Sequence, residues 1–148
     1  MKLPEQFKEE NIENIRIYHY VEELVVSYKS HMEPLIEETG ISLTECPFFI
    51  RIGFSENSNQ QELAEMFNVS EGYTAKLLRK FEDKELISRR EDPNNRRKKI
   101  VTLTEKGIQK MEEIMSLVDQ WEEKVSRNIS DDDYKIVKNA LFKMVNEQ

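Results

Sequence analysis

"DPNNRRKKIVTLTEKG", residues 92–107, places a turn, four consecutive cations and an alternating apolar segment within sixteen positions. Pro93, Asn94 and Asn95 favour a turn, because proline presets φ and asparagine tolerates left-handed backbone. Lys99-Ile100-Val101-Thr102-Leu103 then reads as a strand, with Val101 and Leu103 on one face. Upstream, Leu86-Ile87-Ser88-Arg89-Arg90 supplies its partner, so the two form a hairpin whose tip carries Arg96 and Arg97. A narrow hairpin bearing guanidinium groups suits a DNA minor groove, where negative potential and groove width are sensed rather than base identity.

The charge distribution agrees with that reading. The 148 residues carry a net charge of -7, which argues against an indiscriminate polyanion binder. Residues 70–110 nevertheless hold 12 Lys/Arg against 7 Asp/Glu, and the remainder holds 10 against 22. A basic segment on an acidic body is a directed electrostatic footprint.

Immediately before the hairpin, two short helices are expected. Asn59-Gln60-Gln61-Glu62 matches a capping box and opens a helix to Phe67, with Leu63, Ala64 and Phe67 turned inward. Asn68-Val69 makes a tight turn, and Ser70 caps a further helix to about Lys84. In that helix Thr74, Leu77, Leu78 and Phe81 follow helical spacing and define the buried face. Gly72, Tyr73, Lys76, Arg79 and Lys80 are left on or beside the exposed face, where a helix lying in a major groove needs hydrogen-bonding and cationic groups. Helix, helix, hairpin is a winged helix-turn-helix. Thr44 is expected to cap another short helix through Arg51, with Pro47 in its first turn and the polar SENSN stretch following as a loop.

The two ends of the chain are long helices. From Ile12, the apolar positions Ile15, Tyr18, Val21, Val25, Tyr28, Met32 and Leu35 recur at steps of three and four, with a kink or break expected near Ser30–Glu33 before Pro34 and an end at Gly40. Ile108, Met111, Met115, Val118, Trp121 and Val125 form a second stripe, and Ser130 with Asp131, Asp132 and Asp133 opens a last helix carrying Tyr134, Val137, Leu141 and Met144. These stripes either pack within one chain or interlock between two chains as a homodimer. The fold class is therefore mainly α with a small β-hairpin. One domain spans 1–148, with dimerisation helices at about 8–38 and 104–146 around a winged core at about 41–103.

The chain resembles the MarR-type (multiple antibiotic resistance regulator) transcriptional regulators over nearly its whole length. "QQELAEMFNVSEGYTAKLLRKFEDKELISR" and "NNRRKKIVTLTEKG" carry the likeness, and Arg97, Val101, Leu103, Thr104 and Gly107 occupy the family's wing positions. Asn95 stands where the family usually has Asp, and Glu85 where it usually has Gly. The resemblance implies a homodimeric double-stranded DNA-binding repressor acting on a pseudo-palindromic operator. Its recognition helix would start at Ser70. Gly72, Tyr73 and Lys76 would meet or approach bases, Arg79, Lys80, Lys98 and Lys99 would hold phosphates, and Arg96 and Arg97 would enter the minor groove. It also implies a small aromatic or phenolic effector between the dimer base and the winged core, with Arg16, His19, Tyr20 and Phe48 as candidate lining residues. The alternative from another class is a winged-helix protein interaction module without specific DNA binding.

Enzymatic readings find little support. His19 and His31 are the only histidines, no phosphate loop or nucleophile motif is present, and no metal or cofactor is expected. Cys46, the single cysteine, reads as a small core residue rather than a redox thiol. With no apolar run of bilayer length and no signal-peptide core, the expected location is cytoplasmic, without membrane contact.

Overall fold

The computed structural model describes residues 3–147. In chain order it comprises α1 (Ile17–Ile36), α2 (Cys46–Phe54), α3 (Gln60–Met66), α4 (Glu71–Asp83), β1 (Ile87–Asp92), β2 (Asn95–Leu103), α5 (Glu105–Ser126) and α6 (Asp131–Asn146).

The amino-terminal stripe is divided. Ile12 falls in a short 3-10 helix (Glu9–Asn14), and extended backbone at Ile15 and Arg16 separates it from α1. No break occurs before Pro34; α1 runs through it to Ile36 and continues as a 3-10 turn to Thr39. Pro34 removes only a bond to Ser30, an exposed residue near the helix end whose carbonyl water can satisfy. Gly40 then closes the segment at φ 77°, the left-handed conformation that glycine adopts without a Cβ penalty. Thr44 does not cap α2. The carbonyl of Ser42 instead accepts from the amides of both Glu45 and Cys46, so a Ser42–Glu45 turn leads directly into a helix that reaches Phe54.

The core gathers Met32 and Ile36 of α1, Phe49 and Ile52 of α2, Leu63 of α3, Leu77, Leu78 and Phe81 of α4, Val101 of β2 and Ile114 of α5. Phe49 and Phe81 meet edge to face with centroids 5.3 Å apart. The carboxy-terminal half of α1 is fixed to α5 by Tyr28 against Trp121, by the Trp121 indole donating to Ser27 Oγ (3.2 Å), and by His31 with the Leu117 carbonyl (3.2 Å). Large apolar side chains stay exposed elsewhere on these terminal helices: Val21, Leu24 and Val25 on α1, and Ile136, Leu141, Phe142 and Val145 on α6.

α3 and α4 both end in Schellman motifs. At α3, Val69 donates to Ala64 and Asn68 to Glu65; at α4, Leu86 donates to Phe81 and Glu85 to Glu82. The left-handed positions are Asn68 (φ 50°) and Glu85 (φ 60°). Asparagine tolerates this conformation, but glutamate places its Cβ against the following carbonyl. Glu85→Gly is therefore expected to stabilise the fold by about 1 kcal/mol, since the Glu85–Lys106 ion pair it removes is 3.8 Å long and solvent-exposed. Chemical denaturation at fixed protein concentration checks this, and an unmoved midpoint would show that the turn stores no strain.

Candidate nucleic-acid interface

α4 is organised by its N-cap and its buried stripe. Ser70 Oγ accepts the amide of Tyr73 (3.1 Å), while Thr74, Leu77, Leu78 and Phe81 face inward. Because residues three and four apart share a helix face, Gly72, Lys76, Arg79 and Asp83 run down the middle of the opposite side. Gly72 is open: a Cβ built there meets no atom within 4 Å. Tyr73, 45% exposed, leans edge-on against Phe48 at 6.1 Å. Among the described residues Lys76 and Arg79 form no ion pair, whereas Lys80 is joined to Glu45 of the α1–α2 connection at 2.5 Å.

The wing departs from a simple hairpin. Ile87 to Glu91 pair in register with Leu103 to Lys99, but the next pair is Asp92 with Asn95. Pro93 and Asn94 are therefore the turn, and Arg96, Arg97 and Lys98 form a three-residue excursion on β2 with no residue opposite. Arg96 and Arg97 lie just past the expected tip. The Asp92 carboxylate accepts the Asn94 amide (2.8 Å), and Asn95 Oδ1 accepts the Arg97 amide (3.1 Å). Asn95 thus shapes the backbone beneath Arg97. The wing also has a third edge that the polar SENSN stretch conceals: Val101 donates to the Ser58 carbonyl (2.8 Å) and Asn59 bridges Ile100.

Helix and wing border one hollow. A crevice of about 290 Å³ is lined by Gln60 and Gln61 of α3, Glu71 of α4, and Arg97, Lys98 and Lys99 of the wing. Arg96 to Lys99 form no ion pair among the described residues. On the wing-facing side of α4, Arg89 approaches Glu82 at 3.5 Å. Gln60 and Gln61 enter this surface without a sequence signal beyond their place in the capping box, which forms as expected between Asn59 and Glu62. Glu45 has no signal either, being 35 positions from Lys80.

The effector candidates fall on two elements, α2 and the start of α1. Phe48 is 5% exposed and stacks on Phe67 at 4.0 Å beneath α4. Arg16, His19 and Tyr20 belong to the start of α1, where His19 approaches Glu22 and Tyr20 meets Phe7 edge-on at 5.5 Å. Cys46 is 1% exposed, and burial pushes its thiol up to about 11 against a smaller opposing pull from Tyr28, so it is protonated and unreactive at neutral pH. Among the described residues no cluster of three His, Cys, Asp or Glu side chains is arranged to hold a metal, and no helix is long and apolar enough to cross a membrane.

Two helices, a capped recognition helix and a basic hairpin in this order define a winged helix-turn-helix. The MarR family profile matches residues 41–99. The HTH-type transcriptional regulator BilQ of Clostridium symbiosum is 33% identical over 109 residues, 74% of this chain and 76% of that protein. A MarR transcriptional regulator from Methanosarcina mazei superposes with a TM-score of 0.76 at 25% identity, covering 88% of this chain and 94% of that one. A MarR-family regulator from Listeria monocytogenes solved with a 26-mer DNA gives 0.75 at 16% identity over 90% and 89% of the two chains, a likeness of fold. The chain belongs to the MarR family; it is a transcriptional regulator and not an enzyme.

Proposed function

We propose that this protein is a homodimeric repressor that binds a pseudo-palindromic duplex operator, with one reading head per half-site. The carrying observation is the shared hollow: the wing cations Arg97, Lys98 and Lys99 and Glu71 at the start of α4 line one crevice, which sets hairpin and helix side by side, as contact with adjacent grooves of one duplex requires. In this reading Ser70, Gly72, Tyr73 and Lys76 meet or approach bases, Arg79, Lys98 and Lys99 hold phosphates, and Arg96 and Arg97 enter the minor groove. The exposed apolar faces of α1 and α6 support assembly, because single chains rarely leave so many large aliphatic side chains in water. Repression, and its relief by a small aromatic or phenolic effector, belong to this reading through the family alone.

Selection of bound fragments from genomic DNA should recover a symmetric motif; recovery of random sequence would refute the reading. On the selected operator, Lys76→Ala is expected to cost about 1–3 kcal/mol and flatten discrimination against a scrambled duplex. Lys98→Ala should weaken both duplexes alike and reduce the salt slope by about one unit. Fluorescence anisotropy across a salt series distinguishes these roles, and the reverse pattern would exchange them.

A further inference from the structure

Four cations, Lys76, Arg79, Lys80 and Lys84, lie on the recognition helix and its C-cap, and two of them do not point toward a partner outside the chain. Lys80 and Lys84, one turn apart on the α2 flank of α4, both reach the segment that joins α1 to α2. Lys80 Nζ donates to Glu45 Oε1 at 2.5 Å, and Lys84 Nζ donates to the carbonyl of Gly40. The second oxygen of Glu45 accepts the Ser42 amide at 3.0 Å, so the carboxylate is occupied at both ends while its side chain is only 12% exposed. Burial pushes the Glu45 carboxyl up, but the Lys80 ammonium and the Ser42 amide outweigh it and hold it below the ordinary carboxylate range. Detaching Lys80 would leave that oxygen with water as its remaining donor and undo a tie between two segments, a loss that moving Arg79 does not incur. The Gly40 carbonyl lies where the α1 segment ends in a left-handed residue, a place whose exposed carbonyls favour a cation.

We propose that Lys80 and Lys84 are positioning residues: they clamp the second half of the recognition helix to the connection leaving α1, and neither holds a DNA phosphate. This rests on the DNA-binding reading above and reassigns Lys80 within it. α1 carries part of the exposed apolar face, so the clamp sets the angle between the reading head and the helices that join two subunits. That angle decides whether two heads reach successive grooves together. It therefore bears on operator affinity and leaves single-head, sequence-independent contact alone.

The test is a charge-neutral double substitution in the full chain, Glu45→Gln with Lys80→Met, titrated against a fluorescent operator duplex and its scrambled counterpart over a salt series. The expected result is an operator affinity about tenfold weaker, scrambled-duplex affinity unchanged and an unchanged salt slope, with Lys80→Arg behaving as wild type. A slope reduced by about one unit with both duplexes weakened alike would restore Lys80 to a phosphate and overturn the proposal. An unaltered operator affinity would overturn it too. Should the double variant melt well below wild type, Lys80→Gln read for slope alone decides the same point, a loss of one unit being fatal. If wild type itself binds no duplex, the DNA reading fails first and the proposal falls with it, an outcome separable because it precedes any substitution.

Discussion

Leu141→Asp is expected to give a folded, monomeric protein that has lost roughly hundredfold or more of its operator affinity. Leu141 is 48% exposed on α6 and borders an apolar groove of about 450 Å³ together with Leu24 of α1 and Trp121 and Val125 of α5. Within one chain that groove is open, so a carboxylate at its wall meets water and leaves the winged core undisturbed. In an assembled pair the same carboxylate would be taken out of water among apolar side chains, a penalty that the Lys138 ammonium on the groove wall offsets only in part and that dissociation relieves. On the proposed pseudo-palindromic operator, a lone subunit would offer one reading head to a two-headed site. Sedimentation at micromolar concentration reads the mass, and anisotropy on the operator reads the loss. A variant that stays dimeric with full affinity would place the subunit contact somewhere other than α6.

The second large effect is in stability. Gly107 lies in the first turn of α5, and a Cβ built there would stand 2.0 Å from the carbonyl oxygen of Leu86 and 3.0 Å from its carbon. That carbonyl cannot retreat freely, because it accepts the Thr104 amide at 3.0 Å. Thr104 Oγ1 meanwhile donates to the Glu85 carbonyl (2.6 Å) and accepts the Gly107 amide (3.0 Å). A methyl group here must push apart the base of the wing and the start of α5 together. Gly107→Ala should therefore cost about 3 kcal/mol, the upper range for inserting a methyl group into a packed site. In a chain of this size that lowers the melting temperature by roughly 10 °C. Gly72→Ala is the control: it adds a methyl group to open space and improves helix propensity, so it should not lower the melting temperature. Equal losses at the two positions would show that packing against Leu86 is not the cause.

What could be read from the sequence was local. The inward face of α4, the Ser70 and Ser130 caps and the Asn59–Glu62 box each depend on residues within a turn or two of one another, and the structure forms all of them. Contacts between distant segments left no such trace. Ser58 pairs with Val101 across forty-odd positions through backbone atoms alone, so no side-chain pattern announces it. The displacement of Arg96 to Lys98 arises from register, which composition places only to within a few residues. Gly107 was recognisable as a wing position by family likeness, while the reason for glycine there needed the Leu86 carbonyl in space. The interruption at Ile15–Arg16 carries neither a proline nor a glycine, and Arg16 makes no side-chain capping bond, so the apolar stripe ran on in the sequence past a point where the helix had not yet begun.

The uneven wing has a mechanical corollary. Its lower part is braced on two sides, by the ladder from Ile87 to Glu91 and by Ser58, whereas the stretch bearing Arg96, Arg97 and Lys98 has no opposing strand to stiffen it. Compliance is thus confined to the outermost residues. Binding sites that differ in local groove width would be accommodated by those few residues alone. The two helices beneath would keep a fixed tilt, so on the proposed operator the protein would tolerate variable flanking sequence better than altered distance between half-sites.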